Sequence, residues 1–100
     1  MHARITWGTV KPGHWEEYEA AYRQEVLSRE KPAGLRGRML VRDSDDQDSG
    51  ATVSLWDSEA DMLAYEQGAL TSRVLPALEQ HLIGKFHTHR CEVRHLGLID

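Results

Sequence analysis

Two histidines and a cysteine near the end of the chain have a spacing that could support chemistry. His87, His89 and Cys91 alternate along the sequence, and alternate residues of a strand point to the same face. Imidazole and thiolate groups in such a row can bind zinc or another transition metal. One imidazole that titrates near neutrality can instead act as a general base on a phenolic substrate. Histidines along a half-polar strand near a subunit interface have the same pattern, and we favour that interpretation over a metal site.

Trp56 lies at the junction between a predicted apolar strand and the predicted helix that follows it. Thr52, Ser54 and Trp56 alternate, so they share one strand face. The indole can stack on a flat aromatic substrate, and the two hydroxyls can hydrogen-bond a substrate oxygen. The alternative, which we favour for Trp56 itself, is a core aromatic that fills the corner between strand and helix. Ser58 then serves as the helix N-cap.

Arginines supply the third chemical group. Arg36, Arg38 and Arg42 share one face of a predicted strand, and a guanidinium that points into a pocket suits a carboxylate or an enolate. Salt bridges between strands or subunits are the alternative, because an acidic loop follows. That loop, residues 43–50, lacks the central glycine and the closing glutamate of a calcium-binding loop, so we predict a solvated hairpin loop.

Composition restricts the class of protein. The chain has 100 residues and a formal net charge of -4, which predicts one domain and argues against a nucleic-acid-binding protein. No apolar run approaches the roughly 20 residues that cross a bilayer, and Met1–Ile5 lacks the apolar region of a signal peptide. A single cysteine excludes an internal disulfide. We therefore expect a cytoplasmic protein with no membrane or nucleic-acid partner.

Periodicity predicts the elements that position these groups. Aromatic and apolar residues at spacings of three and four place Trp15, Tyr18, Tyr22 and Val26 on one helix face. Gly68 should end the second helical stretch, Pro76 should kink or break the third, and Gly84 should stop it. We predict strands at 2–10, 35–43, 51–57 and 85–96, and helices at 13–30, 58–67 and 70–83.

This order, β-α-β-β-α-β with the second helix in two pieces, is the ferredoxin-like α+β arrangement. Four antiparallel strands would carry the helices on one face of the sheet. The other face is not clearly polar, and a second copy of the chain is the simplest cover for it.

The segment Ser54-Leu55-Trp56-Asp57-Ser58-Glu59, with Met62-Leu63-Ala64-Tyr65 after it and Cys91-Glu92-Val93 in the closing strand, resembles the antibiotic biosynthesis monooxygenase domain of the dimeric α+β barrel superfamily. The resemblance covers about residues 3–97. It implies a homodimeric barrel in which two sheets face each other. Quinone-forming members of the family carry an Asn four residues before this Trp and a Tyr six residues after it, where this chain has Thr52 and Met62.

The resemblance implies a single domain over residues 1–100 that oxygenates a small aromatic or polyketide-like substrate without a cofactor. In that reaction the substrate is deprotonated and its carbanion reacts with O₂. We expect His87 or His89 to act as the base and Arg38 to stabilise the anion. The predicted substrate-binding residues are Trp7, Thr52, Ser54, Trp56 and Tyr65, with no metal ligands. The alternative is a non-catalytic homodimer that binds a small ligand or a partner.

Overall fold

A computed structural model describes residues 1–99 and has the predicted β-α-β-β-α-β order in one four-stranded sheet. The spatial order of the strands is β2-β3-β1-β4, and each neighbouring pair is antiparallel. The strands are β1 (His2–Val10), β2 (Leu35–Arg42), β3 (Ser49–Trp56) and β4 (Leu82–Glu92). The ferredoxin-like fold class is thus confirmed.

The helical layer lies on one face of the sheet and contains more irregular turns than the sequence predicts. α1 (Trp15–Tyr22) continues into a first π-helical segment, Arg23–Leu27. α2 (Glu59–Tyr65) continues into a second π-helical segment, Glu66–Val74, and α3 (Leu75–Glu79) follows. Among residues 1–99, no helix combines the length and the hydrophobicity needed to cross a membrane.

The three predicted helix breaks have different outcomes in the structure. Gly68 interrupts the helix, with φ −110° and ψ −109°. Pro76 is the second residue of α3, directly after the second π-helical segment ends at Val74, and the first turn of a helix tolerates its missing N–H. Gly84 does not end a helix, because it lies inside β4 at φ 64°. There the pairing of β1 with β4 shifts between Trp7 and Thr9, and glycine adopts the left-handed backbone of this bulge without strain.

The core lies between the helices and the sheet. One buried cluster joins the aromatic face of α1 to the helices that follow β3, and it contains Val10, Trp15, Tyr18, Tyr22, Leu70, Val74 and Leu78. A smaller cluster of Leu35, Trp56 and Met62 fills the end of the sheet where β3 enters α2. Tyr65 packs against both clusters. Full burial of side chains of this size contributes roughly 1.5–3 kcal/mol each, so the helices are held mainly by these contacts.

The corner between β3 and α2 has the capping geometry that the sequence predicts. The Oγ of Ser58 accepts a hydrogen bond from the backbone N–H of Asp61 at 3.2 Å, and its hydroxyl donates to the Asp61 carboxylate at 3.0 Å. Because the cap satisfies an N–H that the first turn leaves free, α2 begins directly after the strand. This places Trp56 beneath the helix and directs Tyr65 and Glu66 over the sheet.

Candidate functional site

A pocket lies between the helical layer and the sheet face that the helices cover. Its cavity volume is about 60 Å³. α1 and the two π-helical segments form one side of the pocket, and β1, β2 and β3 form the other. Its apolar wall comprises Val26, Pro32, Leu35, Leu70, Val74 and Leu78. An apolar cleft with a few convergent polar groups is the usual form of a small-molecule site.

Trp56 lines this pocket from a position deep in the core. It is 1% exposed, and its Nε1–H donates to the Oγ of Ser54 at 2.9 Å. Its ring centroid lies 5.1 Å from that of Tyr65, with the planes inclined at 33°. Since both faces and the N–H are largely engaged within the protein, Trp56 supports the pocket as a core residue and offers little surface to a ligand.

Four further predicted site residues lie with Trp56 around this pocket. Arg38 pairs directly with Ser54 across the β2–β3 ladder, and Thr52, two residues before Ser54 in β3, lies on the same face. These three residues and Tyr65 all line the pocket. Arg36, which was expected on the same face, is the extra residue of a bulge between Leu35 and Gly37. The Arg36 side chain is exposed, and its Nε lies 2.7 Å from Oδ1 of Asp57.

Arg38 differs from the other arginines of the pocket in its electrostatic surroundings. Arg4 donates to Glu66 at 2.8 Å, and Arg73 lies 3.0 Å from the Glu25 carboxylate. Within residues 1–99, Arg38 has no carboxylate within salt-bridge distance. Its charge is therefore available to an anion in the pocket.

Two tyrosines border the pocket beside Arg38. Burial raises the pKa of Tyr22, although the positive charge of Arg38 opposes the rise. Burial also raises the pKa of Tyr65, against the opposing charges of Arg4, Arg73 and Arg38. Both phenols therefore stay protonated at neutral pH and can donate hydrogen bonds.

The predicted bases lie on the opposite face of the sheet. His87 pairs directly with Trp7, and His89 pairs directly with Ile5. Directly paired residues share a face, and Arg4 and Thr6, which alternate with these β1 residues, face the helices. The structure therefore does not bring His87, His89 and Trp7 into the cavity that contains Trp56. The long-range register of β4 against β1 decides this placement.

Cys91 pairs directly with Ala3 and so continues the row of His87 and His89 on the outer face. Nowhere in the described part of the chain do three His, Cys, Asp or Glu side chains come together in a way that could hold a metal ion.

Sequence reasoning missed several residues that shape the pocket. Glu66 binds Arg4 on β1 and Arg90 on β4 at the same time. Glu25 binds Arg73 across the two π-helical segments. These pairs join residues 24 to 62 positions apart, and no local pattern marks them. The sequence analysis placed Tyr22 only in the core. Its position on the core-facing side of α1 was the one feature that could have indicated that it lines the pocket.

The family model described as antibiotic biosynthesis monooxygenase matches residues 1–74 of the chain. A search of curated proteins found no significant match.

Solved structures share the fold at low sequence identity. A proposed antibiotic biosynthesis monooxygenase from Nitrosomonas europaea superposes with a TM-score of 0.82 at 14% identity, covering 95% of this chain and 100% of that one. SnoaB, a cofactor-independent oxygenase from Streptomyces nogalater, has a TM-score of 0.75 at 18% identity, with 95% and 94% covered. A conserved protein from Methanosarcina mazei has a TM-score of 0.77 at 13% identity, with 90% of each chain covered.

Proposed function

The chain belongs to the antibiotic biosynthesis monooxygenase family, and we propose that it catalyses the cofactor-independent oxygenation of a small aromatic or polyketide-like substrate. SnoaB, which shares the fold, is a cofactor-independent oxygenase. The residues proposed to bind the substrate are those around the helix-covered pocket: Arg38, Thr52, Ser54 and Tyr65, with Trp56 beneath them.

The proposed chemistry uses the acidity of the substrate itself. A benzylic CH₂ next to a carbonyl loses a proton to give an enolate, whose negative charge lies mainly on oxygen. The enolate transfers one electron to O₂, and the resulting radical pair combines to form a C–O bond. The peroxide then takes up a proton and loses water to leave a carbonyl group. Overall, CH₂ and O₂ become C=O and H₂O.

The observation that carries this proposal is the guanidinium of Arg38, which has no ion pair within the described residues and lies beside an apolar cleft. Neighbouring positive charge stabilises an enolate and lowers the pKa of the substrate carbon acid. His87 and His89 remain candidate bases only if the reaction uses the other sheet face. In the helix-covered pocket the proton would pass to solvent at the open mouth, so neither histidine is required there.

O₂ uptake with anthrone-type substrates tests the proposal. We expect consumption above the non-enzymatic rate and formation of the anthraquinone. Arg38→Ala should lower kcat/KM about 100-fold, a size usual for loss of one charge-stabilising donor. Arg36→Ala, which removes an exposed arginine from the same strand, is the matched control and should leave kcat/KM unchanged. No uptake above background across a panel of phenolic substrates would contradict the proposal.

The alternative function is ligand binding without turnover. The near-complete burial of Trp56 and the position of both histidines outside the pocket favour it. A ligand that binds only the native state raises the melting temperature. Thermal stabilisation by the anthrone panel in the absence of O₂ uptake would support this alternative.

We also propose that the outer sheet face binds a second copy of the chain. Trp7 and Met39 lie on this face and are 44% and 53% exposed, and Ile5, Val53 and Leu55 lie on the same face. An exposed apolar surface of this kind is typical of an interface. Light scattering on the purified protein should give a dimer, and Trp7→Glu should give a monomer. A monomeric wild-type protein at micromolar concentration would contradict this proposal.

A further inference from the structure

The helix-covered pocket is smaller than the substrate class proposed for it. Its cavity volume is about 60 Å³, which is room for a few water molecules. Pockets that enclose a larger organic ligand usually contain roughly 300–1,000 Å³. A planar substrate of two or three fused rings can therefore enter only if part of the wall moves.

The exposure of the lining residues shows where the pocket meets solvent. Arg29 and Glu30 line the pocket and are exposed, whereas Leu35 and Trp56 line it and are buried. The mouth therefore lies beside the loop that follows the first π-helical segment. Glu25, from that segment, lines the pocket as well.

The carboxylate of Glu25 joins the two sides of this mouth. It accepts a hydrogen bond at 3.0 Å from Arg73 of the second π-helical segment, which also donates to the backbone carbonyl of Glu25. Arg29 lies 3.5 Å from the same carboxylate. The Glu25, Arg73 and Arg29 side chains are 16%, 33% and 51% exposed. Because solvent weakens ion pairs of this kind, they can hold the mouth closed and still separate readily.

The first π-helical segment is held less firmly than the second. None of its residues, Arg23–Leu27, is buried, whereas Leu70 and Val74 of the second segment are buried in the core cluster. Val26 packs against that cluster but is itself only partly buried. A segment with few buried apolar contacts opens at a lower free energy than the core around it.

Fixed points flank this mobile side of the mouth. Tyr22, directly before the segment, is 5% exposed and belongs to the core cluster. Gly34, after the loop, has φ 81° and accepts a hydrogen bond from the backbone N–H of Asp57 at 2.8 Å. A glycine with this backbone conformation can absorb the dihedral changes that a hinge requires.

We propose that residues 23–33 form a lid over the pocket, and that the Glu25–Arg73 pair is the latch that holds the lid closed. When the pair separates, the lid turns between Tyr22 and Gly34, and the apolar wall becomes accessible to a planar ring. The proposal deepens the proposed function by giving the route of substrate entry, and it rests on that function for the size of the substrate.

Stopped-flow binding of 1-aminoanthracene tests the lid without turnover. This planar three-ring probe becomes more fluorescent in an apolar site. With wild-type protein we expect the observed rate to reach a plateau as the probe concentration increases, because opening of the lid limits binding. Arg73→Met removes the charge and keeps an unbranched side chain. It should raise the plateau about fivefold, a size expected for loss of one partly exposed ion pair, and Glu25→Gln should act in the same direction.

A matched control separates the latch from a general loss of charge. Arg23→Met changes an arginine of the lid itself, whose 2.9 Å pair with Glu19 is exposed, and it should leave the plateau at the wild-type value. Hydrogen exchange provides a second measurement: the amides of residues 24–31 should exchange faster than those of residues 70–78, and bound 1-aminoanthracene should slow them. Circular dichroism checks that every variant is folded.

Failure of 1-aminoanthracene to bind the wild type, an observed rate that increases linearly with probe concentration, or equal plateaus for wild type and Arg73→Met would overturn the proposal. A plateau that Arg73→Met raises, without O₂ uptake from anthrones, would retain the lid and reject the oxygenase function. O₂ uptake with a linear binding rate would reject the lid and retain the oxygenase function.

Discussion

Replacement of Glu66 by glutamine should destabilise the protein strongly, because Glu66 ties two strands to the helical layer. Its carboxylate accepts a hydrogen bond from Arg4 Nε at 2.8 Å, and Arg90 Nε lies 2.8 Å and 3.0 Å from its two oxygens. The Arg4 and Glu66 side chains are 10% and 12% exposed, whereas Arg90 is 49% exposed. Glu66→Gln keeps the shape of the side chain but leaves the Arg4 charge without a counter-charge.

The magnitude follows from the different burial of the two partners. Removal of one member of a buried ion pair costs about 3–5 kcal/mol, and the half-exposed Arg90 pair adds at most about 1 kcal/mol because solvent screens it. With a discount for the remaining exposure of Arg4 and Glu66, we expect a loss of about 3 kcal/mol. For a chain of this size that lowers the melting temperature by roughly 12 °C or more.

The pH dependence provides an internal check. Burial by itself raises the pKa of Glu66, but hydrogen bonds and positive charge from Arg90 and Arg4 outweigh it and hold the pKa below its usual value. A carboxyl with a depressed pKa in the folded state stabilises the protein above its ordinary pKa, and this contribution is lost as pH falls through the folded value. The difference between wild type and Glu66→Gln should therefore shrink below about pH 4.5.

Urea denaturation at a fixed protein concentration measures the change. Glu92→Gln is the matched control, since Glu92 bonds Arg94 at 3.1 Å in an exposed pair, and it should alter stability by less than about 0.5 kcal/mol. If Glu66→Gln were as stable as Glu92→Gln at neutral pH, the assignment of Glu66 as a structural link would be refuted.

Three further perturbations test the core. A methyl group on Gly50 would clash with the backbone carbonyl oxygen of Val41 and would lie 2.7 Å from the Trp15 ring. Gly50→Ala should therefore cost about 1–3 kcal/mol or more in urea denaturation. Gly37→Ala meets only ordinary contacts and should cost less, and equal losses would refute the crowding. Trp56→Ala should cost about 3–5 kcal/mol, and a loss below about 1 kcal/mol would show that the indole is not a core residue. Burial, together with the neighbouring Tyr22 phenol, raises the pKa of Tyr18 from 10.0 to about 12. The contribution of Tyr18 to the free energy of unfolding should therefore be fully present below pH 10 and fall by up to about 3 kcal/mol towards pH 12. Tyr18→Phe should lose less stability at alkaline pH in thermal melts, and an unchanged pH dependence would contradict this.

Local patterns were sufficient for much of the fold. The aromatic spacing in Trp15, Tyr18 and Tyr22 predicted the buried face of α1, and the Ser58 cap predicted the start of α2 next to Trp56. These features depend on contacts between residues a few positions apart, which the sequence displays directly. The π-helical segments were not predicted, because a widened turn has no distinct periodic signal over five to nine residues.

Alternation in the sequence also predicted part of the candidate site. The alternation of Thr52, Ser54 and Trp56 placed them on one face, and the same rule placed His87 and His89 together. Alternation determines which residues share a face within a strand, but not which face of the sheet that is. The pairing of His87 with Trp7 across two distant strands decided that the histidines lie opposite the pocket.

Sequence alone thus determined the family, the order of the elements and the residues available for chemistry, since these follow from short-range pattern and spacing. Tertiary structure decided which of those residues share a cavity and which charges are neutralised. Arg4 and Arg73 are bound by carboxylates 62 and 48 positions away, while Arg38, beside two phenols, has no ion pair within residues 1–99. Such long-range pairing depends on strand register and helix packing, and this is the physical reason that the chemistry of the pocket became visible only in the folded chain.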